Sequence, residues 1–261
     1  MNKSLTDVIF ASEKRKKVLL LLQGGKKDIN FLLEHLKTKR TSLLPQLRIM
    51  EQNNIVSHYG SNYELTRIGK LLADEVKPFL ETLETLDKGN SYFSTHNIDG
   101  IPEQFLKRIR EIKDFVLIEP DHVDAQKLNA EYLAEALGSK EVYFVFTFMH
   151  PGTIPVLQQL LDNNINISVI DSKELTDKLV NEMPDRCQYF LSFDNLRIHS
   201  YSKSIGVCSL TVTDNGFLLR LLFNNNEFSN KQIVCMSPEG RKWGKDLHDY
   251  YEKDATLITE I

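Results

Sequence analysis

Apolar residues recur at helical spacing through the first third of the chain and at strand spacing through much of the rest. Apolar positions 5, 8, 9, 18, 19, 21 and 22 predict a first helix over 5–23, closed by Gly24-Gly25. Asp28 is placed to cap a second helix, 29–36, with Ile29, Leu32, Leu33 and Leu36 facing inward. A third, 41–53, puts Leu43, Leu44, Leu47 and Met50 on one side and Thr41, Ser42, Pro45, Arg48, Ile49 and Gln52 on the other. Thr41 or Ser42 is its expected N-cap, and Pro45 near its start is tolerated because few amides there have partners. After Asn53-Asn54 the period becomes two, which predicts a hairpin turning at Gly60-Ser61. From Thr66 a stripe of Ile68, Leu72, Val76, Phe79, Leu83 and Leu86 approximates a heptad seam, for core packing or for a dimer; Pro78 is expected to kink or split that helix.

Residues 88–100 are rich in polar and turn-forming side chains and read as a linker. Beyond them helices are expected at 101–112, 125–137, 153–162 and 173–183, alternating with apolar strands at 115–118, 142–148 and 165–170. That alternation points to parallel strands covered on both faces. From Gln188 an antiparallel run is expected: 189–193, 196–201, 207–212, an Asp214-Asn215-Gly216 turn, 217–223 and 233–236. A helix from 238 to about 255 closes the chain, with Trp243, Leu247 and Tyr250/Tyr251 inward.

Charge divides the chain more sharply than hydropathy does. Residues 1–70 hold 13 Lys+Arg against 6 Asp+Glu, and the remainder 19 against 30, so nets of +7 and −11 make up the overall −4. A basic end is an expectation of nucleic-acid contact. Three cysteines without metal-ligand spacing point to a reducing compartment, no disulfide framework and no zinc. No apolar run reaches membrane-spanning length and no export signal is visible, so a cytoplasmic location is expected.

A polar-faced helix delivered beside a β-hairpin is how a winged helix-turn-helix addresses DNA. The run Leu43-Leu-Pro-Gln-Leu-Arg-Ile-Met-Glu51 and the exit Tyr63-Glu-Leu-Thr-Arg-Ile-Gly69 resemble such domains of archaeal regulators. Asp214-Asn-Gly-Phe-Leu-Leu-Arg-Leu-Leu-Phe223 and Cys235-Met-Ser-Pro-Glu-Gly-Arg-Lys-Trp-Gly-Lys-Asp-Leu-His-Asp-Tyr-Tyr251 resemble the effector-type domain of the methanogenesis and filament-growth regulator family. The resemblance covers nearly the whole chain and implies a DNA-binding transcriptional regulator, often dimeric, whose second domain senses a signal. The expected organisation is α+β in two domains. A winged helix-turn-helix with a connecting helix (1–88) and a linker (89–100) precede an α/β domain with a mixed sheet flanked by helices (101–261).

On this reading the third helix enters a major groove. Arg48 and Gln46 are the expected base contacts, and Lys37, Lys39, Arg40 and Ser42 hold phosphates. Thr41, Pro45 and Ile49 complete the face, and Tyr59, Ser61 and Asn62 form the wing. Double-stranded DNA is the expected partner, bound by a homodimer at half-sites about one helical turn apart.

In the second half no dinucleotide fingerprint, phosphate loop or Gly-x-Ser-x-Gly elbow occurs. Similar domains resemble phospholipase-D-like sheets, but the His-x-Lys that chemistry needs occurs here only as His35-Leu-Lys37, in the basic half. Neither an enzyme nor a cofactor is expected. Ligands of parallel sheets sit beyond the strands' carboxyl ends, which nominates His150, Thr153, Asp171 and Ser172; Arg220, in an apolar strand, needs a carboxylate partner or an acidic effector. Asp171 with Glu174 also reads as a capping box, and Thr153 and Ser172 as N-caps. Two other readings stay open: catalysis or sensing on the 101–261 sheet with the basic part as a tether, and a winged helix that binds protein instead of DNA.

Overall fold

The computed structural model describes residues 4–120, 129–150 and 152–260. The chain divides into two compact units, Met1–Glu81 and Thr82–Ile261.

In the first unit α1 (Leu5–Phe10), α2 (Glu13–Gln23), α3 (Ile29–His35) and α4 (Arg40–Gln52) pack with the strands β1 (Lys27–Asp28), β2 (Val56–Tyr59) and β3 (Asn62–Leu65). The strands lie in the order β1-β3-β2, all antiparallel. The core is aliphatic: Leu19, Leu32, Leu43, Leu47 and Met50 are all buried in it. The first expected helix is in fact two. Arg15, only 5% exposed, donates through Nε to the Val8 carbonyl and through Nη2 to that of Asp7 (3.2 Å). It thereby takes the Val8 carbonyl left open at the end of α1 and shares that of Asp7 with the Ala11 N–H, and Ser12 adopts extended backbone before α2.

Asp28 caps α3 as expected, its Oδ1 accepting from Asn30 and Phe31 N–H. The N-cap of α4 is Lys39, with no side-chain cap, and not Thr41 or Ser42. Pro45 therefore lies in the second turn, where the amide it lacks leaves the carbonyl of exposed Thr41 to solvent. The hairpin turns at Gly60-Ser61, with Gly60 at φ +60°, the sign a two-residue hairpin loop requires and glycine supplies.

α5 (Arg67–Lys88) begins in the first unit and ends in the second, and Pro78 does not split it. Its apolar stripe is only half covered: Val76 is buried, whereas Ile68, Phe79, Leu83 and Leu86 are exposed.

The expected linker is folded. α6 (Asn90–Phe93) carries Tyr92, 1% exposed, into the core of the second unit, where its Oη accepts from Leu221 N–H at 3.0 Å. His96 stacks on Tyr92 with ring centroids 3.8 Å apart and bonds Ser229 Oγ through Nε2 at 2.8 Å. The polar composition of 88–100 concealed two aromatic rings that find their partners some 130 residues away. The expected helix 101–112 breaks into α7 (Glu103–Leu106) and a 3-10 turn, Ile109–Ile112.

The remaining elements are β4 (Val116–Ile118), α8 (Ala130–Leu137), β5 (Glu141–Phe146), α9 (Thr153–Asp162), β6 (Asn166–Ser172), α10 (Lys173–Glu182), α11 (Pro184–Leu191), β7 (Leu196–Tyr201), β8 (Ser209–Val212), β9 (Phe217–Arg220), β10 (Gln232–Cys235), α12 (Pro238–Glu252) and β11 (Thr256–Leu257). The start of the expected 125–137 helix lies outside the described residues. One eight-stranded mixed sheet runs β11-β7-β6-β5-β8-β9-β10-β4, with β5, β6 and β7 parallel and the rest antiparallel. Three expectations fail here, the first being that β4, expected among the parallel strands, lies at the sheet edge and pairs antiparallel with β10. Residues 189–193 begin inside α11, opened by Pro184, because a short apolar run has no period of its own. β7 pairs parallel with β6, the direction the α10–α11 crossover imposes.

Alternate residues of the strands feed two layers. Val145, Ile170, Leu210 and Leu219 pack with Trp243 and Leu247 of α12. Phe144, Phe146 and Val169 pack with Leu157, Leu175 and Phe190 of the other helices. α12 approaches closely: a Cβ on Gly240 would lie 2.4 Å from Cys235 Sγ, and one on Gly244 2.9 Å from Phe217. Trp243 Nε1 donates to the Phe105 carbonyl at 3.2 Å.

Candidate functional site

Burial of Leu43, Leu47 and Met50 turns the opposite side of α4 outward. Lys39, Arg40, Thr41, Pro45, Arg48 and Gln52 are exposed on it, with exposed Lys37 just before, at φ +46°. Tyr59 stands at the hairpin tip, 86% exposed, with exposed Ser61 and half-buried Asn62 beside it. The hairpin is tied to α4 by His58 Nδ1 against Glu51 Oε1, and His58 stacks on Tyr63. The Tyr63 hydroxyl has its pKa raised, first by burial and then by Glu51, while Arg40 and Arg48 oppose the shift. Both guanidinium groups are thus close enough to act on the base of the hairpin.

Three of the expected contacts are otherwise engaged. Gln46 is half-buried, and its Oε1 accepts from Arg15 Nη1. That fixes the amide a base edge would need. Ser42 Oγ accepts from the Lys14 ammonium, which adds a cation beside the start of α4. Ile49 packs against the core. Arg48 keeps an open path to solvent.

In the second unit the nominated ligand residues separate into two groups. His150, Thr153 and Arg220 line one cavity of about 90 Å³, walled by side chains of α8, α9, β5, β8 and β9. Asp171 lines another, of about 60 Å³, among Leu179, Cys187 and Phe190. Ser172 is simply the N-cap of α10, its Oγ accepting from Leu175 N–H, so the capping box does not start at Asp171. Asp171 is buried, and its Oδ1 has no hydrogen-bond partner among the described residues. Burial lifts its pKa to about 7. Thr153 opens α9 but Gly152 is the cap.

Cys208 and Cys235 are buried, and burial raises both thiols, Cys208 to about 11, which leaves them protonated. Among the described residues His248, Asp249 and Glu252 offer three ligand atoms within 4.8 Å, but the Lys245 ammonium already occupies Asp249. His35 of the His-x-Lys pair bonds the Phe31 carbonyl on α3, outside the sheet. The aromatic set of the first cavity went unread in the sequence. Its one signal is Phe144-x-Phe146-x-Phe148, three rings on one side of a strand.

Two comparisons by sequence agree with this division. Residues 3–84 match the N-terminal domain of the methanogenesis regulatory protein FilR1, and residues 125–254 match its middle domain. The chain belongs to the FilR1 family of methanogenesis regulatory proteins. FilR1 of Methanothrix harundinacea (strain 6Ac) is 19% identical over 258 residues, 97% of this chain. The chain spans 58% of that relative's length. Looser likenesses in structure extend to TrmBL2, described as an archaeal chromatin protein with a novel mode of DNA binding (10% identity, 97% of each chain, TM-score 0.44). The phospholipase D family member Nuc of Salmonella typhimurium is a further one (9% identity, 55% of this chain and 98% of that one, TM-score 0.39). No helix among the described residues is long and apolar enough to cross a membrane.

Proposed function

We propose that this member of the family is a DNA-binding transcriptional regulator. Its first unit is a winged helix-turn-helix, with α3 and α4 as the helix pair and β2–β3 as the wing. α4 lies in a major groove, Arg48 contacts a base edge, and Lys37, Lys39, Arg40 and Lys14 hold phosphates. Tyr59 and Ser61 meet the backbone beside it. The observation that carries the reading is the exposed cationic face of α4 next to an exposed hairpin tip, within a stretch of net charge +7. The second unit senses a small molecule, and the half-covered stripe of α5 supports a homodimer.

The experiment is binding of the full chain to duplex DNA from about 50 to 200 mM salt, followed by selection of preferred sequences from a random pool. A log–log salt slope of about −4 per bound chain, near −0.9 for each of four phosphate contacts, and so about −7 for a homodimer on two half-sites, is expected. Salt-insensitive binding, or none, overturns the DNA reading and leaves protein interaction as the use of the same face.

A further inference from the structure

The cavity that brings His150, Thr153 and Arg220 together has an ordered chemical gradient. Phe146, Ser209 and Arg220 stand in register across β5, β8 and β9, and Phe144, Thr211 and Leu218 form the next row on the same face. The first row carries the charge, and the second adds the Phe144 ring and the Leu218 side chain on either side of Thr211. The one phenol of the lining is already spent: Tyr132 O–H donates to the carbonyls of Thr211 (2.9 Å) and Gly216 (3.3 Å). Phe148 and Phe228 also line the cavity, with ring centroids 5.1 Å apart.

Arg220 is the unbalanced member. Its hydrogen bond among the described residues is from Nη1 to Ser209 Oγ, at 3.3 Å, and no carboxylate of those residues pairs with it. A guanidinium has five N–H donors in a planar fork and does not shed its charge in a protein. Burial works against that charge and lowers its pKa. A half-buried cation served by one hydroxyl is costly until an anion arrives, and a carboxylate matches the fork with two parallel bonds. Asn129, His150, Thr153 and Thr211 add polar groups to the lining, but most of the remaining wall is apolar and the cavity is small. A dry cavity of about 150 Å³ holds one benzene ring, so this one, at about 90 Å³ and partly open, encloses part of such a ring or a short branched chain and leaves the remainder at its mouth.

We propose that the second unit binds a small monocarboxylate with a compact aromatic or branched aliphatic body. The carboxylate lies on Arg220 and Ser209, and the body between Phe146, Phe144 and Leu218. The proposal names the signal for the sensing role above and rests on it, but it does not depend on α4 reading DNA.

The test is thermal unfolding of the full chain without DNA, with benzoate and isovalerate at about 10 mM as the aromatic and aliphatic arms. Benzamide supplies the same ring without charge, and phosphate the charge without the body. Expected is a rise in Tm of about 2–5 °C with one or both carboxylates, none with benzamide or phosphate, and loss of the rise in Arg220→Gln. Phe228→Ala, at an exposed position, keeps the fold and weakens benzoate several-fold in calorimetric titration. No rise with either carboxylate, an equal rise with benzamide, or a full rise in Arg220→Gln overturns the proposal. If Arg220→Gln does not fold, equal stabilisation by phosphate and benzoate in the wild-type chain is the overturning result. DNA binding measured with and without benzoate keeps the two readings apart: a chain that takes benzoate and ignores DNA removes the regulator reading alone.

Discussion

Arg48 and Arg220 are the same side chain in two solvents. On α4 the guanidinium stays in water, so it costs nothing to keep and is ready for any polyanion that meets the helix. In the cavity the guanidinium is drawn into an apolar wall with a single hydroxyl, and its charge is a standing cost. Asp171 presents the same contrast among acids. The carboxylates of the first unit sit at the surface or in pairs, as Glu51 does with His58, whereas Asp171 is closed in with one oxygen unserved. An exposed cluster selects a partner by its field, over a Debye length and in a salt-dependent way. A buried group selects by geometry and desolvation, one ligand at a time.

The contrast can be broken first at the fold. Tyr92→Ala removes a buried ring from the segment that composition marks as a linker and strands the Leu221 amide. A loss of about 3–5 kcal/mol in the urea stability of the second unit is expected. A loss below about 1 kcal/mol would return residues 88–100 to the role of a tether.

Next is the buried acid. The folded pKa of Asp171, about 7, lies above its unfolded value, so between about pH 4 and 7 the folded state holds the extra proton. Its contribution to stability is greatest below about pH 4, falls as pH rises, and is fully lost above about 7. Asp171→Asn should therefore stabilise the chain by up to about 4 kcal/mol above neutrality and change little at pH 4. Unfolding curves at pH 4, 6 and 8 test this; a constant offset across the three would show that desolvation of the charge is not the cause.

The smallest effects belong to the open face. Arg48→Ala is expected to relax discrimination at one or two base pairs by about 1–3 kcal/mol without a change in stability. Lys39→Ala should weaken all duplexes alike and flatten the salt slope by about 0.9. If the two variants behaved alike in a sequence-selection experiment, Arg48 would be one more phosphate contact.

Much of the first unit was legible because its signals are local. The Asp28 cap, the 3.6-residue period of Leu43, Leu47 and Met50, and the Gly60 turn each act within a few residues. The break at Ala11-Ser12 was hidden, since it depends on Arg15 folding back on the α1 carbonyls. Gln46 was misjudged for the same reason: its spacing is right for a groove, but Arg15 already holds it. In the second unit, His150, Thr153 and Arg220, the last nominated as a charge in an apolar strand and not as a strand end, stood together with Asp171 and Ser172. Tertiary packing placed the first three in one cavity, Asp171 in another and Ser172 in a helix cap.

What the sequence determined by itself was the gathering of positive charge in the first 70 residues, the type of most elements and the residue classes available for contact. Those follow from composition and from periods of one helical turn or one strand repeat. Only the tertiary structure decided that the polar stretch after α5 is core and that β7 runs parallel to β6. It alone set Arg220 in one row with Phe146, across Ser209, on a shared face. Each of these depends on a pairing between segments far apart in sequence, whose free energy exists only once both partners have left water.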